Sequence, residues 1–129
     1  MGYRINFLPE AGIIELAVEG ELQPAGMRDS TNEALDLVES HNCFAVLVDC
    51  RRMHPAPLPS QVQKLPDLYA SRGADRRLRI AVALSGSPAG KEVSKYYKMS
   101  AKKLDYIVQL FDDVEDALEW LESERPGGS

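Results

Sequence analysis

The segment Cys43-Phe44-Ala45-Val46-Leu47-Val48-Asp49 most constrains what this chain can fold into: six apolar residues in a row, several of them branched, stopping at a carboxylate. A strand with one wet face alternates apolar and polar side chains, whereas a strand covered on both faces reads as a continuous apolar run. The segment therefore predicts the central strand of a sheet. In open α/β sheets ligands gather beyond the carboxyl ends of the strands, which makes Asp49 and the loop after it the expected functional edge.

The same run, the longest apolar one, is far short of the roughly 20 residues needed to cross a bilayer, so no transmembrane helix is expected. The N-terminal Met1-Gly2-Tyr3-Arg4-Ile5-Asn6 has no secretory apolar region, and Asn6 stands where a myristoylation signal needs Ser or Thr. Cys43 and Cys50 lie too far apart along one strand and its exit to bond each other, and two unpaired thiols suit a reducing compartment. A cytoplasmic protein is the expectation. With 129 residues the chain is the size of one domain that needs no staples, read here as a single domain over 1–122 with a polar tail over 123–129. The net charge of −5 argues against a broad nucleic-acid or membrane-surface footprint.

Along the chain, Tyr3 to Leu8 and Ile13 to Glu19 are β-prone runs joined by Pro9-Glu10-Ala11-Gly12, a hairpin signal. Met27, Thr31, Ala34, Leu35 and Val38 then recur at helical spacing, from about Pro24 or Ser30 to Ser40. Pro55, Pro57 and Pro59 stiffen the stretch after the central strand, and Ser60 is the expected N-cap of a helix with Val62, Leu65, Leu68 and Tyr69 on one face, kinked at Pro66. Arg79 to Leu84 is a second buried-type strand. Ser85 to Gly90 turns into a helix whose apolar face is Val93, Tyr96, Tyr97, Ala101 and Leu104, and Tyr106 to Phe111 is the last strand. Asp112 or Asp113 caps a final helix with Val114, Ala117, Leu118 and Leu121 facing inward. The order β-β-α-β-α-β-α-β-α implies an α/β fold with a mixed, mostly parallel five-stranded sheet and helices packed on it.

Few of the polar groups carry a chemical signature. Gly86-Ser87-Pro88-Ala89-Gly90-Lys91-Glu92 resembles a phosphate loop, but it has three residues between its glycines where four are needed, and Glu92 replaces the magnesium-binding hydroxyl. An ordinary strand-to-helix turn, with Ser85, Ser87 and Lys91 able at most to meet an anion, explains it better. Lys91, Lys95, Lys98 and Lys102 share one helix face, so residues 88–104 carry +4 and the remainder −9, an asymmetry suited to a solvated face or to steering an anionic partner. His41 and Cys43 sit at one end of the central strand and Cys50 and His54 at the other, so no metal site is expected and no cofactor. Asp49 is read as organising its loop, with Arg51 and Arg52 as pairing partners, and an enzyme would require Asp49, Ser85 or Tyr96 to converge with a base. Ser60 is the residue whose phosphorylation a helix start would favour.

Taken together these residues resemble the STAS fold, and more narrowly the SpoIIAA-like group described as STAS/SEC14 domain proteins. The resemblance spans about Gly12 to Leu121. Gly20, Val46-Leu47-Val48-Asp49-Cys50-Arg51, Arg79-Ile80-Ala81-Val82-Ala83-Leu84, and Val108-Gln109-Leu110-Phe111-Asp112-Asp113 with Ala117-Leu118-Glu119-Trp120-Leu121 carry it. It implies a bacterial, non-enzymatic domain that binds a protein partner or a small ligand. Related anti-sigma-factor antagonists are switched by a phosphoserine in an Asp-Ser-x-Gly-like motif at the helix start after the central strand. The corresponding stretch here, Pro57-Leu58-Pro59-Ser60-Gln61, keeps the serine but neither the Asp nor the Gly.

The sequence thus leads to a regulatory or binding module, engaging a protein partner through Asp49, Arg51 and the proline loop to Ser60, with Ser85, Ser87 and Lys91 as neighbours. The alternative is a carrier of a small apolar or anionic, lipid-like ligand, for which an apolar cavity should lie under the same loop. A homodimer is compatible with either.

Overall fold

Gly12 closes the first hairpin: it takes a φ of 68°, open to glycine at no steric cost, and its amide donates to the Leu8 carbonyl at 2.8 Å. The turn folds β1 (Gly2–Leu8) antiparallel onto β2 (Ile13–Gly20) in a computed structural model that describes residues 2–123. The chain continues through α1 (Pro24–His41), β3 (Ala45–Met53), α2 (Pro59–Val62), α3 (Leu65–Ser71), β4 (Arg79–Ala83), α4 (Pro88–Lys103), β5 (Ile107–Phe111) and α5 (Val114–Ser123). The five strands lie in sequence order, and every pair after the hairpin is parallel. The mixed, mostly parallel α/β sheet expected from the sequence is present. Of the tail over 123–129 only Ser123 falls within the described residues, as the last residue of α5.

Three crossovers each advance one strand in the same direction, and crossovers of one hand lay their helices on one face. Accordingly α1, α3 and α4 share a core with one face of the sheet, built around Ile14, Leu35, Val46, Tyr69, Ile80 and Val108. The final helix α5 crosses to the other face, where Ala117 and Leu121 pack on Ile13, Ala45, Leu47 and Ala81. Consecutive residues of β3 thus serve two cores, Val46 facing three helices and Leu47 facing α5, which accounts for its unbroken apolar run.

Several elements differ from expectation. β3 starts two residues later than the apolar run and continues four residues past Asp49, because β2 is long enough to pair Gly20 with Met53, whereas β4 ends with Ala83 opposite Asp49. The register between β2 and β3 shifts between Ala17 and Glu19, one extra β3 residue being accommodated where Ala17 faces Asp49 and Glu19 faces Arg52. Asp49 therefore stands at the carboxyl end of β4 but inside β3. The helix read as continuous and kinked at Pro66 is two helices, since proline offers no amide to the Val62 carbonyl and its ring would strike it. Pro66 instead occupies the first turn of α3, where its missing donor costs nothing. Ser60 is not an N-cap: Pro59 takes the first helical position and Leu58 the cap, its amide donating to Gln61 Oε1 at 2.7 Å. Tyr96 and Leu118, expected to face inward, are 37% and 36% exposed, the inner faces being taken by Val93, Tyr97 and Ala101 on α4 and by Ala117 and Leu121 on α5. The last strand begins at Ile107 rather than Tyr106.

Candidate functional site

Between the sheet and α1, α3 and α4 lies an apolar cavity of about 110 Å³. Its floor is the inward row of three strands, with Leu16, Val46, Val48 and Val82 among the residues lining it. Leu22, Met53, Pro57 and Leu65, each only partly buried, form its mouth at the carboxyl edge of the sheet. Three of these belong to the stretch from the end of β3 through the proline loop to the start of α3. The prolines explain why the loop spans the opening instead of filling it: their fixed φ and the extended residues before them hold this stretch away from helix.

The cavity wall includes buried polar groups. Tyr69 and Tyr97 share a hydrogen bond between their hydroxyls, and Tyr106 meets Tyr69 edge to face with ring centroids 5.4 Å apart. Burial drives the Tyr69 and Tyr97 phenols above their ordinary range, so both stay protonated. Burial also pushes the Cys50 thiol up to about 12. As a thiol it is a small apolar wall residue and a poor nucleophile, while His54 is exposed just past the end of β3 and does not line the cavity.

The residues singled out from the sequence are divided by the sheet. Cys50 faces the cavity, so Asp49 and Arg51 on either side of it face the opposite surface. There they join Arg4, Glu15, Glu19 and Arg52 around a polar depression of about 180 Å³, to which no residue of α5 contributes. Arg51 binds both carboxylate oxygens of Asp49 and holds its carboxyl below the usual range. Ser60 lies exposed on α2, on the cavity side, where α2 packs against α4. At the start of α4, Ser87 Oγ accepts from the Gly90 amide at 3.0 Å and sits 3.2 Å from the buried Ser85 Oγ, so the amide that an anion would have used is already capped. Lys91 is exposed one residue further on. Asp49, Arg51 and Ser60 therefore do not form one site.

Nothing in the local sequence announced the cavity. Leu16, Val46 and Val82 read simply as core, and the signal that bore on it was the proline loop, which keeps the carboxyl edge from being packed shut. Among the described residues there is no group of three or more His, Cys, Asp or Glu placed to hold a metal ion, and no helix long and apolar enough to cross a membrane.

Compared with known proteins, the sequence matches no family model and no curated protein. Among solved structures the chain is similar to a crystal structure of an uncharacterised protein of the DUF3478 family from Shewanella loihica PV-4, described as having a SpoIIAA-like fold. The match has a TM-score of 0.56 at 18% identity and covers 93% of this chain and 94% of that one. The fold is SpoIIAA-like. At this identity the likeness speaks for architecture, and within the SpoIIAA-like fold the function has to be argued from the cavity, the loop over it and the charged surface behind it.

Proposed function

We propose that the protein is a non-enzymatic binding module whose principal site is the apolar cavity beneath the proline loop, and that its ligand is a small, mainly apolar molecule. The cavity carries this reading: it is concave, lined almost wholly by aliphatic and aromatic side chains, and opens at the edge of the sheet where ligands of α/β folds gather. The polar candidates support the non-enzymatic part. The Asp49 carboxylate is held by Arg51, the Ser85 hydroxyl by Ser87, and the Cys50 thiol is kept protonated, so none of these three candidates is an activated nucleophile paired with a base.

Native mass spectrometry of the protein taken directly from lysate tests this. The expected spectrum shows a small-molecule adduct released by organic solvent, and the emptied protein should take up the neutral fluorophore N-phenyl-1-naphthylamine, which is larger than the enclosed 110 Å³ and so leaves part of its ring system in the open mouth. A bare protein that also fails to bind the fluorophore would overturn the reading.

A second reading, the regulatory module that engages a protein partner, draws on Leu58. It is 63% exposed at the tip of the proline loop, two residues before the exposed Ser60, and an apolar side chain so placed suits a protein contact. The same spectrum, by reporting a phosphate on Ser60 or a co-purifying polypeptide, would favour it.

A further inference from the structure

The cavity wall is not uniformly apolar. Thr31 of α1 and Ser94 of α4 both line it, each only 8% exposed, and neither hydroxyl has a hydrogen-bond partner among the described residues. Their neighbour Ser30 behaves differently, its Oγ donating to the Met27 carbonyl at 3.0 Å. A helical Ser or Thr can fold its hydroxyl back onto a carbonyl one turn earlier, as Ser40 and Ser71 also do. Thr31, Ser60, Ser94 and Ser100 forgo this bond, and of these Thr31 and Ser94 are the buried pair that borders one void; their oxygens, unlike Arg79 Nε, are not sealed off, so both stay open to a partner that enters it.

The rest of the lining adds a second constraint. No Lys, Arg, His, Asp or Glu contributes to it, and the Tyr69 and Tyr97 hydroxyls are engaged with each other. An ionised headgroup in this space would lose its water and find no opposite charge, which is prohibitive, whereas a neutral polar group would find two free hydroxyls.

We infer that the cavity takes a neutral, mainly apolar small molecule whose hydrogen-bonding group, a hydroxyl or carbonyl, is met by Thr31 Oγ1 and Ser94 Oγ. This rests on the apolar-ligand reading and narrows it. Anionic amphiphiles such as free carboxylates are excluded from the interior, and plain hydrocarbon is not the ligand the wall is built for.

Displacement of N-phenyl-1-naphthylamine by 1-octanol, octane and octanoate at about pH 8, in the wild-type protein and in the Thr31→Val/Ser94→Ala variant, separates these statements. Octanol should bind the wild type at least about 100-fold more tightly than octanoate. It should weaken about five- to tenfold in the double variant while octane is unchanged. The variant retains the shape of the wall and removes two unpaired hydroxyls, so its melting temperature should not fall. Should it fail to fold, Thr31→Val and Ser94→Ala singly carry the same comparison at about threefold each. Octanoate binding as well as octanol, or octanol affinity indifferent to both substitutions, would overturn the inference while leaving the cavity reading intact. If neither the fluorophore nor octane enters the wild-type protein, the cavity reading itself falls and this inference with it.

Discussion

Arg51 clasps Asp49 from two positions along the same strand: its Nε donates to Oδ1 at 2.9 Å, its Nη2 to Oδ2 at 2.8 Å and its backbone amide to Oδ1 at 3.1 Å. Residues two apart on a strand share a face, and this face lies across the sheet from the cavity. Arg51 draws the Asp49 carboxyl below its ordinary value, so the pair contributes stability that is complete above the unfolded value of about 3.9 and is lost as pH falls through the lower folded value. Asp49→Asn should therefore lower the melting temperature by a few degrees at neutral pH, with the gap to wild type closing below about pH 4. Uptake of N-phenyl-1-naphthylamine should be unchanged, because the carboxylate is on the wrong side of the sheet to touch it. A thermal gap that persists undiminished into acid would show that the substitution acts through shape rather than charge.

Ala34 on α1 is 7% exposed and lines the cavity. Methionine at this position suits the helix and is flexible enough to fill an irregular void, so Ala34→Met should extend into unoccupied space. It should raise stability by about 0.5–2 kcal/mol, read from urea melts, and abolish fluorophore uptake together. Loss of binding with an unchanged or lowered stability would mean that the side chain blocks the mouth or strains the wall instead of filling the space.

How far the fold was legible follows from where each signal lives. The unbroken run from Cys43 to Val48 and the alternation of strands with helix-length segments are local and periodic, and they led to the order of elements and the mostly parallel sheet. What a single strand cannot disclose is the length of its neighbour: β3 runs past Asp49 only because β2 offers Gly20 to Met53, so the residue read as the strand's exit became an interior residue facing away from the site. The spacing of Val62, Leu65, Leu68 and Tyr69 predicts one helix with a kink at Pro66, whereas the carbonyl that the proline ring would obstruct dictates a restart. The cavity was legible least of all. A residue that borders a void and one that fills a core have the same composition, and the free hydroxyls of Thr31 and Ser94 acquire meaning only when two helices far apart in sequence are seen to line one space.

Cys43 and Cys50 are both buried, at 7% and 8% exposure, and the Cys50 thiol is pushed up to about 12 by its surroundings. Since the thiolate is the reactive form and access is required as well, both cysteines should react with a disulfide reagent at pH 8 at least about 100-fold more slowly in the native protein than in guanidinium chloride. Cys50 borders the cavity and Cys43 does not, so saturation with 1-octanol should slow Cys50 further and leave Cys43 unaffected. Equal protection of the two by octanol would place the alcohol elsewhere.

Gly90, in the first turn of α4, is buried against Ser85, and a Cβ built on it would lie 2.0 Å from Ser85 Oγ and 3.0 Å from Ser87 Oγ. Its backbone is helical, so the need for glycine comes from this close approach and not from φ. Gly90→Ala should force the Ser85 hydroxyl out of its place beside Ser87 and cost about 1–3 kcal/mol, despite the higher helix propensity of alanine. Ser85→Ala removes the offending oxygen at the loss of one weak contact, 3.2 Å long and not closed on a charged group. The double variant should therefore recover most of the loss, giving a coupling energy of about 1–2 kcal/mol in a double-mutant cycle measured by denaturant unfolding. Additive losses would place the strain at Ser87 and the cap of α4, in which case Ser87→Ala, not Ser85→Ala, would relieve it.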